Sequence, residues 1–240
     1  MSAASRLTVV LIATLVLTGS TTADHRHARP IVAPAPPVAE PVLEAGPVTT
    51  SMALVVPAAL DNPGLGLRDG PSAVPLELKV PSLDVAAPVV GVGITETNVM
   101  DAPMGPADDP AWQQAFWYRG SAVPGALSTA LIAGHVDDPL GRPGVFAHLD
   151  SLRPGDPIVV HDTRSGLDVR FAVTELKIYS LEETADPAVL NLIYGAGPVQ
   201  GTWPQPSADG LAHLTLITCG GTFRNGTHDH RVVVYATRSA

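Results

Sequence analysis

One thiol, one imidazole and one guanidinium in this chain form a pattern that can carry out nucleophilic catalysis. Cys219 is the single cysteine of the 240 residues and stands between a short apolar run and Gly220-Gly221. His135 ends the apolar run 130–133 through a glycine, and Arg231 opens a run of three valines. A cysteine attacks as the thiolate, so it needs a neighbouring base or cation that sets its protonation state. The pattern predicts a covalent mechanism with Cys219 as nucleophile and His135 and Arg231 as its partners.

The elements that must position these residues are strands. Short apolar runs, rich in β-branched residues and separated by Gly, Pro and Asp, are typical of strands. They predict strands at Leu76–Val80, Val89–Val92, Thr129–Gly134, Pro157–Val160, Val169–Tyr179, His213–Cys219 and Arg231–Thr237. Ala111–Phe116 and Leu181–Leu192 are predicted to hold short helices. The expected fold is all-β, a sandwich or a closed barrel, and closure would remove the exposed strand edges.

A hairpin is expected to join the last two predicted strands. If Cys219 ends one strand and Arg231 begins the next, both lie at the same end of the sheet. Arg224, in the loop between them, is the alternative cation. Thr218 is a β-branched strand residue next to the thiol, where it can also contact a substrate.

The N-terminal quarter indicates export. Arg6 precedes an uncharged apolar stretch, and small residues follow as far as Ala23, which is the pattern of a secretory signal. We expect residues 1–23 to be a signal peptide, or an uncleaved signal anchor that gives the chain its only membrane association. Residues 24–75 are rich in Pro and Ala, which predicts a spacer that is disordered or semi-extended. Residues 76–240 are the size of one domain.

Composition excludes several classes of partner. The formal charge is −9, from 14 Lys+Arg and 23 Asp+Glu, and no basic cluster is present. Nucleic acid and anionic membrane faces are therefore not expected partners. The chain has no P-loop, and no cofactor or metal is predicted for the cysteine chemistry. A different hypothesis is an exported metal-binding or wall-binding module, in which His228, Asp229 and His230 combine with His135 and with Asp137 and Asp138.

Three motifs resemble the sortases, the cysteine transpeptidases of Gram-positive surfaces. "TLITC" at Thr215–Cys219 is similar to their active-site signature, "ALIAGHVDD" at Ala130–Asp138 to their histidine segment, and "HRVVVYA" at His230–Ala236 to their arginine strand. The resemblance spans about residues 76–238. The sequences of the motifs are most similar to actinobacterial class F, with class E second. In class F an Asp-Asn pair usually separates the arginine from the valine strand, whereas Arg231 adjoins Val232 directly.

The resemblance implies a closed sortase-like β-barrel of about eight strands with one or two short helices. It also implies roles: Cys219 as nucleophile, His135 as acid and base, and Arg231 as oxyanion donor, without metal or cofactor. The implied substrates are surface proteins with a C-terminal LPXTG-like sorting signal, cleaved between Thr and Gly. The acyl group would pass to an amine of peptidoglycan or of a pilin, on the extracellular side of the membrane, by a monomeric enzyme. An L,D-transpeptidase-like cysteine enzyme is a further alternative.

Overall fold

The computed structural model describes residues 66–239 of the chain. The expected signal peptide and most of the expected spacer lie outside these residues. The strands are β1 (Ser72–Val80), β2 (Val85–Val92), β3 (Ala115–Tyr118), β4 (Thr129–Gly134), β5 (Pro157–Asp162), β6 (Asp168–Ser180), β7 (His213–Arg224) and β8 (Thr227–Arg238). The α-helix in this part of the chain is α1 (Pro187–Tyr194), and 3-10 turns lie at Pro81–Leu83, Pro110–Gln113, Leu149–Ser151, Glu183–Ala185 and Pro198–Gln200.

The eight strands close into one barrel in the order β1-β2-β3-β4-β7-β8-β6-β5. β2 and β3 run parallel, as do β4 and β7, and the other neighbours are antiparallel. The predicted all-β closed barrel with few helices is therefore confirmed. β4 and β7 lie side by side although they are far apart in sequence. This pairing brings the histidine segment next to the cysteine strand.

Side-chain alternation gives the barrel two apolar surfaces. The interior is filled by every second strand residue, such as Ile132 on β4, Leu216 on β7 and Val234 on β8. The outer face carries Leu131 on β4 and Val233 on β8, which pack with Ile193 of α1. The helix therefore covers one outer wall of the barrel. Within residues 66–239, no helix has the length and apolar character needed to cross a membrane.

The strands are mostly longer than the sequence predicted: β2 begins at Val85, β7 continues to Arg224 and β8 begins at Thr227. β1 begins at Ser72, ahead of the predicted Leu76, and a register shift against β2 accommodates Pro75. The short helix predicted at Ala111–Phe116 is a 3-10 turn at Pro110–Gln113, and the rest of the segment belongs to β3. Asp109 accepts the Ala111 amide and starts a 3-10 turn, and the chain then continues as β3. The helix predicted at Leu181–Leu192 corresponds to a 3-10 turn followed by α1.

Candidate active site

Cys219 and Arg231 face each other across the β7–β8 hairpin. The antiparallel register pairs Thr218 with Val232 and Cys219 with Arg231. Ile217 and Tyr235 pack on the outer face of the barrel, so alternation places Cys219 and Arg231 on this face as well. The hairpin expected from the sequence therefore brings the thiol and the guanidinium to the same rim.

His135 reaches the same rim from β4. The parallel register pairs Ala133 with Ile217, and the Thr218 hydroxyl donates to the Gly134 carbonyl oxygen over 2.8 Å. Gly134 is the last residue of β4, and His135 follows it directly. Cys219 and Arg231 thus lie within the adjacent strands β7 and β8, and His135 lies directly after β4, the other neighbour of β7.

The His135 ring is held in place by aromatic side chains and one hydrogen bond. Its centroid lies 4.5 Å from that of Trp112 and 5.2 Å from that of Phe116, with the Phe116 ring edge-on. Its Nε2 lies 2.8 Å from the Pro103 carbonyl oxygen. A carbonyl only accepts, so Nε2 carries the proton in this contact. Within the described chain Nδ1 has no protein partner, and in the neutral ring it is the basic nitrogen.

Glycines let the chain approach the histidine closely. A Cβ on Gly134 would lie 2.6 Å from side-chain atoms of both Val145 and Phe146, and a Cβ on Gly144 would lie 2.5 Å from the His135 carbonyl oxygen. The Phe146 amide donates to that oxygen over 2.9 Å. The histidine backbone is therefore fixed by packing that tolerates no side chain at Gly134 or Gly144.

Arg231 is half-buried, and its backbone contacts limit where the guanidinium can lie. Nη1 donates to the carbonyl oxygens of His230 at 2.8 Å and His228 at 3.3 Å. In the described part of the chain, Nε and Nη2 have no protein acceptor. A guanidinium with free N–H groups can donate hydrogen bonds to an acyl oxygen. Arg224 is five residues beyond Cys219, at the hairpin tip opposite Thr227, about 16 Å along the strand.

The loop after His135 is stabilised by Asp138. Desolvation opposes ionisation of this carboxylate, but hydrogen bonds from Arg142 and from the Leu140 amide outweigh it and hold the pKa of Asp138 below its usual value. Arg142 also donates to the Ala107 carbonyl, which ties this loop to the segment that carries Pro103. The loop therefore supports both the backbone and the ring contact of His135.

A second histidine near the site was not assigned to the cysteine chemistry from the sequence. His228 Nε2 lies 3.3 Å from Asp137 Oδ1, and the His228 side chain is 12% exposed. Its Nδ1 is buried without a hydrogen-bond partner among the described residues. The contact joins β8 to the loop that follows His135. The available signal was the sequence His228-Asp229-His230, which suggested a metal site instead.

The metal-site hypothesis is not supported by this arrangement. Within residues 66–239, no group of three or more His, Cys, Asp or Glu side chains lies close enough to hold a metal ion. Asp138 is occupied by Arg142, and His230 contacts Asp229 over 2.6 Å. The residues proposed as one ligand set are divided among separate pairs.

A cleft of about 320 Å³ opens beside Cys219 at this end of the barrel. We call it the mouth cleft; its walls include Phe146, Asp150, Ile178, Cys219, Gly220 and Gly221. Thr218, which the sequence predicted as a substrate contact, also lines it. The Thr218 side chain is buried, and its one described hydrogen bond is the contact to Gly134. Contact between Thr218 and substrate stays a prediction.

Comparison with known proteins decides the family. The family model described as "Sortase domain" matches residues 78–239, which is more than half of the chain. The chain belongs to the sortase family. The matched residues of the sortase domain include all eight strands in whole or in part and all three residues at the rim. No curated protein matched the sequence significantly.

Solved sortase structures resemble the sortase domain at low identity. A lid mutant of sortase A from Corynebacterium diphtheriae is 21% identical, covers 69% of either chain and has a TM-score of 0.46. Sortase C-1 from Actinomyces oris is 20% identical over 69% of this chain and 73% of its own, with a TM-score of 0.45. Sortase D5 from Clostridium perfringens is 16% identical over 69% and 78%, with a TM-score of 0.45. At these values the family assignment depends on the family model.

Proposed function

We propose that this sortase is an exported cysteine transpeptidase with Cys219 as nucleophile, His135 as general acid and base, and Arg231 as oxyanion donor. The observation that carries the proposal is the cross-strand pairing of Cys219 with Arg231, with His135 directly after β4, the strand on the other side of β7. Those are the three groups that acyl transfer through a thioester requires. Membership of the sortase family favours this over a metal-binding module or an L,D-transpeptidase-like enzyme.

The substrate is a protein with a C-terminal LPXTG-like sorting signal, cut between Thr and Gly. The Cys219 sulfur forms a bond to the threonine carbonyl carbon, and the bond from that carbon to the glycine nitrogen breaks. His135, which takes up the proton of the Cys219 thiol, gives it to the departing amine. Arg231 stabilises the negative charge that develops on the carbonyl oxygen, a task suited to a fixed and permanently charged donor. The product of this step is an acyl-enzyme with a thioester at Cys219.

The second half of the reaction transfers the acyl group to an amine of the cell wall or of a pilin. The incoming amine loses a proton to His135, its nitrogen bonds to the thioester carbon, and the Cys219 thiolate leaves. The resting protonation states of Cys219 and His135 are restored, so the reaction requires no metal or cofactor. Transfer to water instead of an amine gives hydrolysis of the sorting signal.

The position of the enzyme in the cell follows from its N-terminus. We propose that residues 1–23 direct export or remain as an anchor, and that the spacer ahead of β1 (Ser72–Val80) holds the catalytic domain away from the membrane. The enzyme would act as a monomer on the extracellular side. The sequences of its motifs favour sortase class F, with class E second.

A quenched LPXTG-type peptide tests the proposal. We expect the full chain to cleave it, a thiol-blocking reagent to stop cleavage, and an added amine to appear in a new amide product. Cysteine alkylation followed by mass measurement should place the blocked thiol at Cys219. Cleavage that ignores the thiol blocker, or none across a panel of sorting peptides, would contradict the transpeptidase assignment.

A further inference from the structure

We propose that residues 52–60 of the spacer pack against an exposed apolar surface at the end of the barrel opposite Cys219. We call this surface the basal patch; it consists of Leu127, Trp203 and Leu211, which are 44%, 80% and 46% exposed. The contact would fix the place where the spacer leaves the domain. It is separate from the cysteine chemistry, because the patch adjoins the first residues of β7 and Cys219 lies toward the other end of that strand.

The two leucines of the basal patch lie at the start of two neighbouring strands. β4 and β7 are parallel, and their first residues, Thr129 and His213, are paired. Leu127 and Leu211 each come two residues before their strand. The His213 amide donates to the Ser128 carbonyl oxygen over 2.8 Å. The two exposed leucines therefore adjoin the same stretch of paired backbone.

A folded loop holds Trp203 at the same end of the barrel. Ser128 Oγ donates to the Gln205 carbonyl oxygen over 2.7 Å, which ties the loop to the start of β4. The Trp203 carbonyl oxygen accepts from Gln205 Nε2 over 2.8 Å, and the Gln205 amide donates to the Ala196 carbonyl oxygen over 2.9 Å. A Cβ on Gly197 would lie 2.2 Å from the Trp203 carbonyl oxygen, so the backbone packs closely here. The indole is exposed although its backbone is held in place.

Trp203 differs from the other two tryptophans in its exposure. Trp112 and Trp117 are both buried. A tryptophan is on average strongly buried, and covering its ring removes a large apolar area from water. An exposed indole beside two exposed leucines therefore favours an apolar occupant.

Residues 52–60 have the composition that such a surface requires. Their sequence, MALVVPAAL, contains eight apolar residues, one proline and no charge. Pro57 removes a backbone donor and favours an extended chain, which can lie along a surface without strand partners. Apolar side chains gain free energy when they leave water for other apolar groups. The earlier part of the spacer is less suited, because residues 24–44 carry five charged side chains, Asp24, Arg26, Arg29, Glu40 and Glu44.

The point at which the spacer enters the barrel brings residues 52–60 within reach of the basal patch. The Leu67 carbonyl oxygen accepts from the Ile94 amide just beyond β2, at the end of the barrel where β4 begins. Residues 61–65 join the segment to Gly66, and a connection of this length spans at most about 20 Å. β4 is two strands from β2, which is about 10 Å at the usual strand spacing.

Arg119 fixes this entry point. Its side chain is buried, and Nη1 donates to the carbonyl oxygens of Gly70 and Gly91 over 3.0 and 3.2 Å. Nη2 donates to the Asp69 carbonyl oxygen. These contacts tie the chain ahead of β1 to the end of β2. The segment that precedes Gly66 therefore starts from a fixed place beside the basal patch.

Fluorescence of Trp203 tests whether the basal patch is covered. The Trp203 emission is the difference between the full chain and full-length Trp203→Phe, and its quenching by acrylamide is followed. We expect weak quenching in the unmodified chain and severalfold stronger quenching in the double variant Val55→Glu, Leu60→Glu, because buried charges are costly. The double variant Val38→Glu, Leu43→Glu is the matched control. It changes the same residue types elsewhere in the spacer and should be quenched like the unmodified chain.

A spin label tests where the segment lies. A nitroxide is attached at Ser51→Cys in the full chain without its native thiol, Cys219→Ala, and amide NMR signals are followed. We expect the label to broaden the signal of Leu127 and to leave that of Leu140, an exposed leucine in the loop after His135, sharp. The same label at Ala39→Cys should broaden neither signal.

The results distinguish residues 52–60 from other occupants of the patch. Equal quenching of Trp203 in the two double variants, or no broadening at Leu127 from the Ser51 label, would overturn the proposal. Free quenching in the unmodified chain would show an uncovered patch and overturn it too. Shielding of Trp203 that disappears on dilution would identify a second copy of the chain as the occupant instead.

The contact does not depend on the proposed function. Both double variants should cleave a soluble sorting peptide at the rate of the unmodified chain, because the basal patch lies away from Cys219. A chain that cleaves no sorting peptide but shows the difference in Trp203 quenching would support the contact and contradict the transpeptidase. Normal cleavage without that difference would do the reverse.

Discussion

The two ends of the β7–β8 ladder each carry a histidine in contact with an aspartate, and the two contacts differ. At the end away from Cys219, His213 Nε2 lies 3.0 Å from Asp209 and its Nδ1 lies 3.2 Å from the Thr237 hydroxyl. Both ring nitrogens have partners. At the Cys219 end, the contact of His228 with Asp137 leaves a buried Nδ1 without one.

The backbone differs in the same way. From His213 to Gly220 the two strands pair residue for residue, and beyond Gly220 the register shifts. A buried polar atom without a partner typically costs about 1–3 kcal/mol, and a bulge gives up ladder hydrogen bonds. The ladder is thus more regular at the His213 end, and the Cys219 end departs from regular pairing, as functional sites commonly do.

The largest difference between the two ends is expected on removal of the thiol. Cys219→Ala should reduce cleavage of the sorting peptide by more than about 10⁴-fold, because no other group can form the acyl-enzyme. Folding should be retained, since the side chain is only partly buried. His213→Ala at the opposite end should keep near-normal activity. Cleavage rates and thermal unfolding of the two variants check this, and residual thiol-independent turnover in Cys219→Ala would contradict it.

Removal of the guanidinium is the next largest effect. Arg231→Ala should lower kcat about 10²- to 10³-fold with a smaller change in KM, the usual cost of losing one oxyanion donor. Arg231→Lys should recover little, because a lysine lacks the planar fork. Arg224→Ala on the same hairpin is the matched control and should behave as the unmodified chain. Equal losses of kcat in the two alanine variants would contradict the assignment of Arg231 as oxyanion donor.

The contact between His228 and Asp137 should affect catalysis by holding His135 in position. His228→Ala frees Asp137 and loosens the loop that follows His135, so we expect kcat to fall about tenfold because misplaced catalytic groups lose rate. Asp137→Asn, which keeps the size and one acceptor oxygen, should lose less. Steady-state kinetics across pH 5–9 provide the check. An unchanged kcat in His228→Ala would mean that the contact only stabilises the fold, as the contact of His213 with Asp209 does.

The smallest effect concerns Asp138 and acid stability. Its pKa is lower in the folded chain than the unfolded value of about 3.9. Its contribution to stability is therefore complete above the unfolded value and is lost as pH falls through the folded value. Urea unfolding of the unmodified chain and Asp138→Asn at pH 7, 4 and 2.5 should show a stability difference that shrinks with acid. A difference that stays constant down to pH 2.5 would refute this.

Features that depend on residues close in the chain were predicted from the sequence, and features that depend on distant contacts were not. Strands such as Thr129–Gly134 were predicted with correct bounds, because β-branched residues and flanking glycines are local signals. β3 was missed because four residues, three of them buried, show no alternation. The Trp112 and Phe116 contacts to the His135 ring were missed with it. Sequence periodicity does not report which distant strands become neighbours.

The sequence alone determined the single thiol, the apolar runs that become strands, and the hairpin that sets Arg231 opposite Cys219. Each of these depends on residue type or on contacts close in the chain. Tertiary structure alone decided that Thr218 meets Gly134, 84 residues away, that Pro103 holds His135 Nε2, and that His228 meets Asp137. These contacts exist because the barrel closes around its apolar interior, and closure fixes the parallel register of β4 against β7.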